Sequence, residues 1–374
     1  MSEIKIEKIL LKNFKCHKNF ETNLRDLNIL TGSNAAGKSS LVQALLLAYK
    51  SWKECEKKRI NTNKIYGMNM GIPMNIVSED LEERNIDIEL YLNGIKNKVV
   101  LGLPDDNDEI SFDICNYEEI LEAKEHGFNL GKISLFYLNA ERKGPRIVSF
   151  INDIVPYSVG NTGENTGYVL SEMDKLQKIS GDFRLPKDLR ISQIDRFSAN
   201  CEEWLNVIIP DTKIRYNVDV EKNITTVMLQ NQGEFHLPIA TGFGITYVLP
   251  IIVQALAAGM IKNSVLIVEN PEAHLHPLSQ SRLGKFLALV AVNGVQVVLE
   301  THSEHIVDGC RIQIAREKQC ENMKIVFFEK KDNKSVCKSI NIMDNGELEE
   351  WPDGFFDQKR TDLRELLEMR RCGN

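Results

Sequence analysis

One glycine-rich segment has the residue types and spacing of a phosphate-binding loop. Residues 32–39 read GSNAAGKS, which fits G-x-x-x-x-G-K-[ST], between a predicted strand, LNILT, and a predicted helix, SSLVQALLLAY. Glycines let backbone N–H groups close around phosphates, and a helix N-terminus adds its positive end. The pattern predicts that Lys38 contacts the β and γ phosphates of a nucleotide and that Ser39 binds magnesium. The predicted nucleotide-binding residues are Gly32, Ser33, Asn34, Ala35, Ala36, Gly37, Lys38, Ser39 and Ser40.

Two further segments place polar side chains at the ends of apolar strands. SVLIVE, residues 264–269, leads to Glu269 at the carboxyl end of a predicted strand, where ligands bind in open α/β sheets. We therefore predict that Glu269 completes the magnesium shell. VVLETHSEH places His302 just past another buried strand, from which an imidazole can contact a γ phosphate or an attacking water.

Each of these signals also has a purely structural interpretation. A glycine-rich turn can arise by chance, and an acidic residue at a strand end is commonly a solvated turn residue. His274 and His276 are equally consistent with a loop or with a metal site. The order of the three segments along the chain favours a nucleotide site over three unrelated coincidences.

Length and composition set the class of protein. A chain of 374 residues with 43% hydrophobic and 26% charged residues is long enough for two or three packed layers, which excludes a small disulfide-stapled module. No apolar run is long enough to cross a bilayer, and the N-terminus lacks the pattern of a secretory signal.

The eight cysteines contain no CxxC pair, which suits reduced thiols in a cytoplasm. The net charge of −7 argues against an extensive nucleic-acid-binding surface, although a local basic groove is compatible with it.

The periodicity of the sequence predicts the elements that position these residues. Residues 85–103 alternate around Asn93-Gly94, the signal of a β-hairpin, and residues 146–210 are helical and polar, ending in a predicted helix over 188–209. Apolar strands follow at 264–269, 295–300 and 324–330, the first two separated by a helix. Continuous apolar strands with helical crossovers predict a parallel sheet covered on both faces.

The order of GSNAAGKS, ENPEAHLHP and ETHS resembles the order of Walker A, Walker B and switch motifs in ABC-type ATPases of the SMC and RecF group. More narrowly, the chain resembles stand-alone AAA-family ATPases related to overcoming-lysogenization-defect nucleases, many of which belong to bacterial anti-phage systems. The opening IEKILLKNFKCHKNFE is similar to the first hairpin of that group, and residues 346–358, GELEEWPDGFFDQ, resemble a short C-terminal domain of unassigned function. The resemblance implies an α/β P-loop NTPase fold of ABC type, with a mixed sheet core, an antiparallel β subdomain and a helical lid or arm insertion.

The resemblance also implies a division of the chain into four regions. Residues 1–145 are expected to form an N-terminal ATPase lobe with Walker A and β hairpins, and residues 146–210 a helical lid or arm. Residues 211–345 are expected to form a C-terminal lobe with Walker B and the switch histidine, and residues 346–374 a tail element.

A second copy of the chain is implied by the same resemblance. Two protomers would face head to tail, with each ATP between one Walker A and the partner's signature loop. The candidate loop, ATGFGITYVLPII at 240–252, departs from the usual LSGGQ; Thr241 would replace the serine, while Gly242 and Gly244 would allow close backbone approach. The alternative is a glycine-containing turn before a core helix. Arg142, in LNAERKGPR, is a candidate sensor of the γ phosphate, with a surface basic turn as the alternative.

Asn270 departs from the family pattern, in which a glutamate after the magnesium-binding acid polarises the attacking water. An asparagine cannot accept that proton, and a positioned general base contributes about 10² to 10⁴ in rate. Glu272 or His302 could take over part of this role. If the motif is instead aligned so that Glu269 is the general base, magnesium is left without its usual acidic ligand. We therefore expect tight MgATP binding with slow or partner-dependent hydrolysis.

Three functions are compatible with this reading. The first is a cytoplasmic ATPase that dimerises around ATP and regulates a separate effector, a nuclease being favoured, in phage defence; the residues after His302 contain no obvious acidic set for two metals. The second is a RecF-like ATPase that binds duplex DNA in repair, and the third a non-hydrolysing scaffold. Assembly beyond a dimer is left open, and no membrane partner is expected. Trp351, Phe355 and Phe356 either seal the core or form a docking patch.

Overall fold

A computed structural model of the chain describes residues 3–78, 84–105, 110–125, 127, 129–151, 155–180, 183–231, 233–237, 243–331 and 334–372. Its strands are β1 (Ile6–Phe14), β2 (His17–Asn23), β3 (Leu27–Gly32), β4 (Arg59–Asn61), β5 (Asn85–Leu92), β6 (Ile95–Gly102), β7 (Ser111–Ile114), β8 (Ser134–Leu138), β9 (Ser149–Phe150), β10 (Thr212–Asp219), β11 (Ile224–Asn231), β12 (Ser264–Glu269), β13 (Gln296–Glu300), β14 (Met323–Lys331) and β15 (Lys334–Asn341). Its α-helices are α1 (Lys38–Lys53), α2 (Tyr117–Lys124), α3 (Thr166–Ile179), α4 (Phe197–Ile208), α5 (Phe243–Gly259), α6 (Pro277–Val292), α7 (Glu304–Arg316) and α8 (Gln358–Cys372).

A mixed sheet with the order β15-β14-β3-β13-β12-β8 forms the centre of the fold. The pairs from β14 to β8 are all parallel, and β15 joins the edge antiparallel to β14. Alternate residues of a strand enter different cores: Ile29 packs in a cluster with α5, α6 and α7, whereas Leu30 packs in a second cluster with α1. The predicted parallel sheet covered on both faces is confirmed.

An antiparallel sheet with the order β2-β1-β5-β6-β7-β4 packs on the α1 side. Its β5 and β6 strands are joined by Asn93 and Gly94, whose φ angles are 49° and 77°. Two successive positive φ angles are what a type I′ turn requires, and Asn-Gly tolerates them best. The predicted hairpin is therefore confirmed.

The region between β8 and β12 contributes helices and a small third sheet, ordered β10-β11-β9. The predicted helix over 188–209 is too long, because α4 begins only at Phe197. Two side chains of α4 instead bind the preceding segment: Asn200 accepts a hydrogen bond from the Ser192 amide (3.0 Å), and the Trp204 indole donates to the Leu189 carbonyl (2.8 Å). These contacts fold the segment back along α4 rather than extending the helix.

No helix in the described part of the chain is long and apolar enough to cross a membrane. Seven cysteines of that part are free thiols: Cys16, Cys55, Cys115, Cys201, Cys310, Cys320 and Cys337.

Candidate active site

The glycine-rich segment forms an arched loop between β3 and α1. Its chain turns at three residues with positive φ, Gly32 (126°), Ala35 (56°) and Gly37 (106°). A Cβ built on Gly32 would lie 1.9 Å from the Phe328 carbonyl oxygen, so only glycine allows β14 to pack this closely against the loop. Ser33 and Asn34 lie exposed on the arch, where a ligand can reach them.

Lys38 is the first residue of α1 and lies under the loop. Lys38 is 4% exposed, and its ammonium group donates hydrogen bonds to the carbonyl oxygens of Gly32 (3.0 Å) and Ser33 (2.7 Å). Burial lowers the pKa of Lys38, while the nearby Glu300 carboxylate opposes that shift. The first N–H groups of an α-helix lack partners within the helix, so α1 and Lys38 together present donors to an anion.

Ser39 follows Lys38 and contacts a residue that sequence analysis did not select. Its hydroxyl donates to Glu300 Oε1 at 2.8 Å. Glu300 is 6% exposed, and its Oε2 is buried with no hydrogen-bond partner among the described residues. Burial raises the pKa of Glu300, and the Ser39 hydrogen bond offsets part of this rise. Like Glu269, Glu300 ends a buried apolar strand, which is the signal that could have identified it.

Glu269 lies on the neighbouring strand, directly opposite Glu300 in the parallel register of β12 and β13. Burial raises the pKa of Glu269 to about 7, and the Glu300 charge adds to the rise; the Tyr137 hydroxyl and the Ala140 amide oppose it. Two adjacent, desolvated carboxyl groups beside a serine hydroxyl make an all-oxygen donor set of the kind that Mg²⁺ prefers.

The unpartnered Glu300 oxygen shows that these residues fit a magnesium ion. Ser39 and Glu300 would hold it, and the predicted participation of Glu269 is compatible with its position on the next strand. The described residues contain no group of three His, Cys, Asp or Glu side chains that could hold a metal alone. Phosphate oxygens of the nucleotide would therefore have to complete the coordination shell, as is usual for Mg²⁺. The ion would in turn neutralise phosphate charge at this site.

The loop after β12 places Asn270 and Glu272 in different settings. Asn270 has a φ of 44°, and its amide donates to the Glu300 carbonyl oxygen at 2.8 Å. The Glu272 carboxylate accepts from the Thr301 hydroxyl (2.7 Å) and from the His302 amide (2.8 Å). Glu272 is thus held against the segment that follows β13. Burial lowers the pKa of the exposed His302, and the Lys38 charge lowers it further, which favours the neutral imidazole.

Arg142 does not lie in a surface turn, because it is 2% exposed. Its guanidinium donates to the carbonyl oxygens of Asn139 (3.0 Å), Glu269 (2.7 Å) and Asn270 (2.6 Å). These contacts give Arg142 a positioning role, since they fix the backbone that carries Glu269 and Asn270. Its predicted contact with a γ phosphate stays a prediction.

Part of the candidate signature loop, Thr241 and Gly242, lies outside the described residues. Gly244 lies in the first turn of α5, where a built Cβ would be 2.8 Å from the His274 carbonyl oxygen. The close packing of α5 on the loop after β12 therefore depends on this glycine. The role of Gly244 in nucleotide binding stays a prediction.

Two histidines of the loop after β12 have structural contacts. The His274 ring packs on Tyr247 with 4.5 Å between centroids, and the His276 side chain caps α6 by accepting from the Leu278 amide at 3.3 Å. Neither belongs to a three-residue metal cluster in the described ranges. The metal-site alternative for this pair is not supported.

The phosphate-binding loop follows the carboxyl end of β3, and carboxyl groups end the next two strands of the sheet, β13 and β12. This arrangement defines the chain as an ABC-type P-loop ATPase. The chain belongs to the family described as "AAA domain, putative AbiEii toxin, Type IV TA system", whose model matches residues 27–308. A second model, described as a protein of unknown function (DUF3696), matches residues 320–366. The resemblance inferred from the motifs is confirmed.

Two relatives match most of the chain. An ATP/GTP phosphatase from Helicobacter pylori is 23% identical over 366 residues, covering 88% of this chain and 94% of the relative. An OLD nuclease from Thermus scotoductus is 20% identical over 367 residues, covering 90% of this chain but only 66% of the relative.

Solved structures of SMC heads share the fold. The SMC head bound to the C-terminal winged-helix domain of ScpA has a TM-score of 0.54 at 14% identity, covering 90% of this chain and 97% of that one. An SMC head with an extended coiled coil, bound to the C-terminal domain of ScpA from Pyrococcus furiosus, has a TM-score of 0.52 at 14% identity, covering 98% and 100%. The predicted fold class is thereby confirmed.

Proposed function

We propose that this ATPase binds MgATP, dimerises around it, hydrolyses it slowly, and uses the cycle to regulate a separate cytoplasmic effector in anti-phage defence. The observation that carries the proposal is the convergence of Lys38, the Ser39–Glu300 hydrogen bond and Glu269 at one edge of three neighbouring strands. The ATP/GTP phosphatase that matches along nearly its whole length supports hydrolysis. The OLD nuclease relative supports a nuclease as the effector.

Slow hydrolysis follows from the groups beside the site. Asn270 cannot accept a proton, and its backbone is held by Glu300 and Arg142. Glu272 is the nearby carboxylate whose two oxygens are both oriented by hydrogen bonds. In this proposal Glu272 acts as the general base in place of a glutamate at position 270. The neutral His302 contacts the γ phosphate, as its position after β13 suggests.

Dimerisation is proposed because Ser33 and Asn34 are exposed on the loop rather than covered by this chain. A second copy can then close over the nucleotide, with Thr241, Gly242 and Gly244 as its contacts. The net charge of −7 favours a protein effector over a duplex DNA partner. A salt-sensitive mobility shift of duplex DNA that requires ATP would reverse this preference.

Binding is tested by titrating the purified chain with a fluorescent ATP analogue and Mg²⁺. Wild type should saturate, Lys38→Ala should not, and Lys213→Ala, which removes an exposed lysine on β10, should bind like wild type. Light scattering after gel filtration should show a dimer for Glu272→Gln with MgATP and a monomer with MgADP. Saturable binding that is unchanged in Lys38→Ala would contradict the proposed site.

Hydrolysis and the effector need a second measurement. Phosphate release should be slow for the chain alone and faster when a nuclease that co-purifies with the chain in MgATP is added. A complete lack of phosphate release under both conditions would favour the scaffold alternative.

A further inference from the structure

The segment after β15 returns to the nucleotide site. We call residues 351–358 the C-terminal strap; residues 353–358 of the strap form one wall of a cavity of about 470 Å³. The opposite wall includes Ser33 of the phosphate-binding loop and His302. The strap side contributes Asp353, Asp357 and Gln358. His302, which is predicted to contact the γ phosphate, and Ser33 of the predicted phosphate-binding loop thus line one space with residues of the strap.

Phe355 is the buried ring that anchors the strap to the core, and the half-buried Phe356 packs against the same core. Phe355 is 3% exposed and packs edge-on against Phe327 with 5.5 Å between centroids. Trp351, in contrast, is 60% exposed, and every residue from 357 to 370 is exposed. The sequence left two roles open for the aromatic residues of this segment, sealing the core or forming a docking patch. Burial shows that Phe355 seals the core and that Trp351 does not. The strap is thus held by side-chain contacts at the surface of the core, including that of Arg311 with the Trp351 ring at 5.4 Å, and not by pairing with the central sheet.

The backbone of the strap is itself constrained. Phe356 has a φ of 52°, which bulky residues rarely adopt, and it packs on Phe355 with 4.8 Å between ring centroids. Such a conformation persists only where the surroundings impose it, and conformations of this kind cluster at active sites, ligand clamps and switch regions.

The strap adds negative charge to the cavity. Glu329 lines it too, but Lys331 forms a salt bridge with Glu329 at 2.7 Å and offsets that charge. Asp357 accepts one hydrogen bond from the Gly354 amide at 3.0 Å, which leaves its charge in place. Asp353, which also interacts with Lys331, and Asp357 are both exposed toward solvent and the cavity. A γ phosphate beside Ser33 and His302 would meet these carboxylates and be repelled by them.

We propose that the C-terminal strap is an electrostatic gate of the nucleotide cleft, in which Asp353 and Asp357 lower the affinity for the γ phosphate until the strap is displaced. The proposal rests on the proposed function, because it needs ATP to bind at Lys38. The gate discriminates between nucleotides: it weakens binding of MgATP more than that of MgADP, which lacks the phosphate nearest the strap.

The test compares two double variants of the full chain that each remove two negative charges. Asp353→Asn/Asp357→Asn neutralises the cavity wall, whereas Asp344→Asn/Glu365→Gln neutralises residues outside the cavity lining. Relative to the control, the wall variant should have a Kd for MgATP lower by about three- to tenfold at low salt. The change for MgADP should be smaller, and the difference should shrink at about 0.5 M salt.

Two outcomes of that titration would overturn the gate. One is an equal Kd for MgATP in the wall variant and in the control; the other is an equal tightening of MgADP, because the effect would then not depend on the γ phosphate. The failure of the proposed function is distinguishable, since no Lys38-dependent binding would then be seen in wild type or in either double variant.

A second measurement follows the strap in the unmutated chain. Hydrogen–deuterium exchange of peptides covering 351–372 should increase on adding MgATP and not on adding MgADP. Unchanged exchange at saturating MgATP would show that the strap stays in place and would overturn its displacement.

Discussion

The Ser39 hydroxyl and the Glu300 carboxylate are joined by a hydrogen bond of 2.8 Å, although they are separated by 261 positions in sequence. This contact places an acid from β13, the strand next to β3, directly beside the phosphate-binding loop. Glu269 lies one strand further from β3. Glu300 is therefore the carboxylate whose removal should most directly alter magnesium at Ser39.

Replacing Glu300 should weaken magnesium-dependent nucleotide binding. We expect Glu300→Gln to lower the apparent affinity for Mg²⁺ in the presence of ATP by about 10- to 100-fold, because it removes a charged partner of Ser39. Calorimetric titration of Mg²⁺ into the ATP-containing protein measures this change. The control is Glu317→Gln, which changes an exposed glutamate at the C-terminal end of α7. Equal Mg²⁺ affinities for both variants would contradict the role of Glu300.

A glutamate at position 270 should speed turnover at a cost in stability. Asn270→Glu supplies a carboxylate where the family pattern has one, so kcat should rise by about 10²-fold or more. The φ of 44° at this position suits asparagine better, and the change should cost about 1–2 kcal/mol of unfolding free energy. Steady-state kinetics and thermal unfolding measure the two effects. An unchanged kcat in a folded variant would show that position 270 does not reach the attacking water.

Glu272 should be needed for the slow reaction of the wild type. We expect Glu272→Gln to lower kcat by about 10² to 10⁴, since an amide is not a base. Its hydrogen bonds to Thr301 and His302 would also be disturbed, because an amide offers only one acceptor oxygen. Single-turnover phosphate release, with nucleotide affinity measured separately, distinguishes the two effects. Weaker affinity with an unchanged rate of release would make Glu272 a positioning residue only.

Magnesium binding and stability should depend on pH in opposite ways. The folded chain raises the pKa of Glu269 from its ordinary 4.5 to about 7, so this carboxyl group must lose a proton to bind metal. Affinity for Mg²⁺ should therefore rise between about pH 6 and 8, by up to about tenfold per pH unit for one linked proton.

Without metal, the same raised pKa gives the opposite trend in the free energy of unfolding. The contribution of Glu269 is fully present below its unfolded pKa and is lost as the pH rises through about 7. Thermal unfolding at a series of pH values should show this loss for wild type and less of it for Glu269→Gln. Identical profiles for the two proteins would contradict the assignment to Glu269.

Replacing the buried Arg142 should lower the free energy of unfolding. Arg142→Ala leaves three backbone carbonyl groups without their guanidinium partner, which should cost about 2–4 kcal/mol of unfolding free energy. Denaturant unfolding measures this cost, with exposed Arg146→Ala as the control. A loss of nucleotide affinity at unchanged stability would instead support the predicted sensing of the γ phosphate.

Features that depend on a few consecutive residues could be predicted from the sequence. The phosphate-binding loop, the Asn93-Gly94 turn and the apolar strand ending at Glu269 are encoded by local spacing, because backbone φ preferences and side-chain periodicity act over short distances. The prediction of a helix over 188–209 was wrong about where the helix begins, because side chains of α4 bind the preceding segment and decide its start.

Only the tertiary structure decided which carboxylate meets Ser39, what Arg142 binds and where the strap lies. Glu300 and Glu269 look alike in sequence, since each ends a buried strand, and the order β3-β13-β12 puts Glu300 nearer the loop. Strand order and the burial of Arg142 and Phe355 result from packing between segments far apart in the chain, which no local pattern records.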